Sequence, residues 1–68
     1  MQEETYKDIR RLLKNFGMLA DENIVAHIEK LASHGLLHIR LSLEDLTDYA
    51  GHSPPEPLQM EIEGDVRY

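Results

Sequence analysis

The hydrophobic period of this chain changes at Gly35. Up to that residue the apolar side chains recur at helical spacing. Beyond it they alternate strictly, Leu37, Ile39, Leu41 and Leu43 against His38, Arg40, Ser42 and Glu44. A helices-then-strands order follows. The one other strand-forming stretch is Leu58 to Tyr68 at the end of the chain, so the sheet holds two good strands at most. A two-stranded sheet is marginal in water unless something packs on it. Self-association is therefore the first functional expectation.

The spacing predicts a first helix over 3–16, with Tyr6, Ile9, Leu12, Leu13 and Phe16 on one stripe. Its charges suit the helix dipole, with Glu3, Glu4 and Asp8 early and Arg10, Arg11 and Lys14 late. Gly17 stands where a left-handed C-terminal cap belongs. Asp21 reads as the N-cap of a second helix over 22–34, carrying Ile24, Val25, Ile28, Leu31 and Ala32 and ended by Gly35. A strand over 36–41 follows. Ser42, with Asp45 three residues on, resembles a capping box and opens a short third helix over 43–50, ended by Gly51.

The segment 51–57 contains Pro54, Pro55 and Pro57, which lack amide donors and restrict the residues before them, so it reads as a stiff, extended loop. A second strand over 58–67 places Leu58, Met60, Ile62, Val66 and Tyr68 on one face, and Gly64 marks a bulge or a close backbone approach. The expected fold is a single small α+β domain over 1–68. Its order is α-α-β-α-β, with two N-terminal helices packed on a two-stranded sheet and a short third helix between the strands. The connection between the strands permits either a parallel crossover or antiparallel pairing.

Asp21 to Arg40, reading DENIVAHIEKLASHGLLHIR, resembles the recognition helix and first wing strand of winged-helix proteins. The likeness is carried by the Leu31, Gly35, Leu36 pattern at the end of the helix. It implies a helix presented to a partner and followed by a wing, in a nucleic-acid-binding or transcription-regulatory module. The side chains offered by this stretch include Glu22, Asn23, His27, Glu29 and only one Lys, Lys30. They suit a protein-binding or dimerising relative better than a DNA reader.

Composition narrows the function further. Hydrophobic residues make up 41% of the chain, enough for folding over most of its length. Thirteen acidic against seven basic residues give a net charge of -6, which opposes attraction to nucleic acid or anionic lipid. The absence of cysteine removes disulfides and thiolate metal sites. With no apolar run long enough for a leader or membrane span, a cytoplasmic protein is expected. Met1 leading directly into a helix reads as a complete small protein.

Four histidines, His27, His34, His38 and His52, are the candidates for a metal site, but they lack the spacing of a known ligand set. Glu61 and Glu63 share a strand face, as on any solvated strand, so no catalytic site and no cofactor are expected. The leading expectation is a small interaction or regulatory module that forms a homodimer, with a further protein partner allowed. Its contact residues are Tyr49, Met60, Ile62, Val66 and Tyr68. The alternatives are nucleic-acid binding through Arg10, Arg11 and Lys14, and metal binding through the histidines.

Overall fold

One helix occupies the stretch where the sequence predicts two. The computed structural model describes residues 1–68 throughout, and the chain divides into two compact units, residues 1–33 and 34–68. The first unit holds helix α1, Glu3–Ile28, which runs through Gly17 and Asp21 without a break. Neither residue compels a stop. Gly17 does not have positive φ, so it adopts ordinary helical backbone rather than a left-handed cap. A glycine inside a helix costs about 1 kcal/mol relative to alanine, which the strong helix formers Met18, Leu19 and Ala20 beside it can carry. Nucleating a new helix after a break is the more costly course. Nothing lies within 4 Å of the position a Gly17 side chain would take. We therefore expect Gly17→Ala to raise helix stability by about 1 kcal/mol, read from the thermal midpoint by circular dichroism.

The helix also stops earlier than the sequence suggests. Glu29 N–H donates to Val25 C=O at 3.0 Å, and then Lys30 and Leu31 donate to His27 and Ile28 at 3.1 and 3.0 Å, three residues back. This tightening satisfies the last carbonyls and turns the chain out of the helix. His27, not His34, is the basic residue of the last turn. Residues 29–34 form the connection to the hairpin, where Gly35, just before β1, and Tyr68 exchange backbone hydrogen bonds of 3.0 Å in both directions.

The second unit is an antiparallel hairpin of β1, Leu36–Glu44, and β2, Gln59–Arg67. Pairing is one to one, from Leu36 opposite Arg67 to Glu44 opposite Gln59. Gly64 sits opposite Ile39 within this regular ladder, with nothing within 4 Å of a would-be side chain, so it makes neither a bulge nor a close approach. Gly35 does make one. A Cβ there would lie 2.8 Å from the Tyr68 hydroxyl oxygen, so the aromatic ring occupies the space that a side chain would need.

No third helix forms. β1 continues through Leu43 and Glu44, and Asp45 N–H adds a rung to Leu58 C=O at 3.0 Å. The polar side chains beyond it take up amides that a helix would use. Asp45 Oδ1 accepts from Thr47 N–H and Asp48 Oδ1 from Ala50 N–H, each at 2.9 Å. Such local side-chain bonds compete with helical ones. Ala50 at φ 53° and Gly51 at φ 86° then turn the chain, closed by His52 N–H to Tyr49 C=O at 3.1 Å. The architecture is therefore one helix followed by a hairpin, α-β-β, in place of α-α-β-α-β. The winged-helix likeness fails with it, because Asp21 lies inside α1 and does not open a separate helix.

Candidate interaction surface

The two faces of the hairpin follow from its register. On one face Leu37, Ile39, Leu41 and Leu43 of β1 stand opposite Val66, Gly64, Ile62 and Met60 of β2, extended at one end by Tyr68. Of the residues expected to make contacts, Met60, Ile62, Val66 and Tyr68 share this apolar face. Val66 and Tyr68 are half-buried, and Met60 and Ile62 are exposed. Tyr49 lies apart from them on the connecting loop.

The other face is a ladder of charge. His38 stands opposite Asp65 and Arg40 opposite Glu63. His38 Nδ1 is 2.6 Å from Asp65 Oδ1, and a carboxylate only accepts, so Nδ1 carries the hydrogen. Arg40 Nη2 and Nε donate to Glu63 Oε1 at 2.9 and 3.3 Å. Diagonal approaches extend the chain of charges, His38 Nε2 to Glu63 at 3.7 Å and Arg40 Nε to Glu61 at 3.8 Å. All five side chains are exposed, so each pair contributes at most about 1 kcal/mol. These pairs do not choose the register by themselves, since shifting β2 by two residues in one direction would set His38 on Glu63 and Arg40 on Glu61, which are also opposite in charge.

At 100° per residue, Tyr6, Ile9, Leu13, Phe16, Ala20 and Ile24 form one stripe along α1. The stripe is open: Tyr6 and Phe16 are each 48% exposed and Leu13 is 53% exposed. Arg11 and Glu22 lie on the opposite side, and the ion pairs Lys7–Glu3 at 3.9 Å and Arg11–Asp8 at 3.4 Å are solvent-facing pairs one turn apart. No residue of the chain, apolar or polar, is buried.

The loop holds its own hydrogen-bonded cluster. Hydrogen bonds from Thr47, then from the Tyr49 hydroxyl, hold the Asp45 carboxyl below the ordinary aspartate range, and the same Asp45 bond raises the Tyr49 phenol. The signs are opposite in pH. Asp45 is lowered, so its contribution is full above the unfolded value of about 3.9 and is lost as pH falls through the folded one. Tyr49 is raised, so its contribution is full below about 10 and is lost as pH rises through its folded value. A carbon-detected NMR titration is expected to place the Asp45 midpoint below that of an ordinary aspartate, and Tyr49→Phe should move it upward. An unchanged midpoint in the variant would contradict the bond.

The histidines do not converge. His27 is on α1, His38 is engaged with Asp65, and His34 and His52 lie in separate connections. No group of three or more histidine, cysteine, aspartate or glutamate side chains is placed to hold a metal ion. Arg10, Arg11 and Lys14 lie on α1, with Arg11 turned to Asp8. No helix is long and apolar enough to cross a membrane. Comparison with family models, curated proteins and solved structures finds no match to this chain.

Proposed function

We propose that this chain is a self-associating interaction module, a homodimer whose hydrophobic core forms between copies. The observation that carries the reading is the absence of any buried residue in a chain with two apolar surfaces, the α1 stripe and one hairpin face. Size supports it. The units span residues 1–33 and 34–68, each below the roughly 40 residues at which a lone domain usually needs disulfides, metals or oligomerisation. Disulfides are not available to a chain without cysteine.

On this reading the role is binding, not catalysis. The Tyr49 loop, with Leu46 85% exposed, is left over for a further protein partner. A cytoplasmic place of action accords with the lack of cysteine. The net charge of -6 favours a neutral or basic protein surface over nucleic acid. Light scattering with in-line chromatography tests the reading. We expect twice the chain mass, falling only on strong dilution; a chain of single mass at every concentration would refute it.

A further inference from the structure

A hairpin has two open edges, and the two here are unequal as templates for a second copy. Gly35 and Tyr68 exchange both backbone bonds, so by antiparallel alternation Leu37, Ile39, Leu41 and Leu43 also bond inward to β2. The backbone groups of Leu36, His38, Arg40, Ser42 and Glu44 therefore point away from β2. Those of Gln59, Glu61, Glu63, Asp65 and Arg67 point away from β1. Neither row has a backbone partner.

The β2 row carries Glu61, Glu63 and Asp65 at successive outward positions. When a second β2 is laid antiparallel along that edge, every register with more than a few residues of overlap sets one of these acids opposite its own copy or another acid. Like charges directly opposite are destabilising, and His38 and Arg40 offset only part of three carboxylates. The β1 row behaves differently. With a two-fold axis at Leu41, His38 stands opposite Glu44 of the second copy and Arg40 opposite its Ser42. With the axis at Ser42, Arg40 stands opposite Glu44 of the second copy. Neither register opposes like charges. His38 and Arg40 also reach toward the acids of β2, hence away from the open β1 edge.

We infer that the chain self-associates through β1, edge to edge and antiparallel, giving a four-stranded sheet in the order β2-β1-β1-β2. This rests on the self-association proposed above and specifies its geometry. Leu37, Ile39, Leu41 and Leu43 then line the two central strands of one continuous apolar face. The acids of β2 guard the outer edges against further strand addition, which closes the assembly at two copies.

Two measurements test the assignment. In the wild-type assembly, native-state hydrogen exchange should find the outward amides of Arg40 and Ser42 protected and those of Glu61 and Glu63 exchanging freely. Because the chain has no cysteine, Ser42→Cys and Glu61→Cys each supply a single thiol, at positions facing each other across the hairpin. Pairing through β1 puts position 42 within about 8 Å of its copy. Position 61 is then three strand spacings, about 14 Å, from its own. A bifunctional maleimide about 8 Å long should therefore link associated Ser42→Cys at least about tenfold faster than Glu61→Cys. Protection at Glu61 and Glu63 with free exchange at Arg40 and Ser42, or linking that is equal or faster at position 61, overturns the β1 assignment and leaves self-association standing. A wild-type chain that is monomeric by light scattering overturns both.

Discussion

The unfolding temperature of this chain is expected to rise with its concentration. If the core forms only between copies, unfolding and dissociation are one event, and mass action stabilises the assembly by RT ln of the concentration ratio. A hundredfold increase in concentration adds about 2.7 kcal/mol per dimer. For an unfolding unit of two such chains this corresponds to an upward shift of about 5–10 °C. Circular dichroism in cells of different path length gives the comparison directly. A midpoint that stays fixed over that range would mean that each chain holds itself together.

The second large effect is expected at the middle of the α1 stripe. Phe16 is 48% exposed in the single chain, so on the surface of a monomer Phe16→Asp would change stability little. In a dimer whose core includes the stripe, the same substitution removes a large apolar contact and brings a carboxylate into its place, a loss of about 3–5 kcal/mol per chain. That weakens association by well over a hundredfold. Glu22→Gln, on the opposite side of α1, is the control and should change stability by no more than about 0.5 kcal/mol. Equal behaviour of the two variants in sedimentation would remove the stripe from the interface.

Periodicity in the sequence located the apolar surfaces but not the points where elements begin and end. The alternation of Leu37, Ile39, Leu41 and Leu43 lies on one face of β1, as its period requires, and the residues from Tyr6 to Phe16 lie along α1. Gly17 and Asp21 read as a stop and a start because those residue types often punctuate helices. Each such signal is worth only about 1 kcal/mol, and here continuation of the helix outweighs both. Leu43, Leu46, Tyr49 and Ala50 have helical spacing, yet strand pairing takes Leu43, and the carboxylates of Asp45 and Asp48 take the local amides.

The two rows of the charge ladder were legible, but not their pairing. His38 and Arg40 alternate along one strand, and Glu61, Glu63 and Asp65 along the other. Antiparallel pairing with a constant sum of residue numbers sets His38 on Asp65 and Arg40 on Glu63. Parallel pairing would equally set His38 on Glu61 and Arg40 on Glu63, so the complementarity matches the two rows to each other without choosing strand direction or register. Periodicity says which side of an element is apolar, but not what covers it. The partial exposure of the stripe could therefore be found only from coordinates.

The central claim, a core made between copies, is tested most directly by an isotope-filtered NOE experiment on an equimolar mixture of carbon-13-labelled and unlabelled chains. We predict intermolecular contacts from the methyl groups of Leu13, Leu41 and Leu43, and from the Phe16 ring, to unlabelled apolar protons. A spectrum with intramolecular contacts alone, at concentrations where the hairpin and α1 are both formed, would contradict the account.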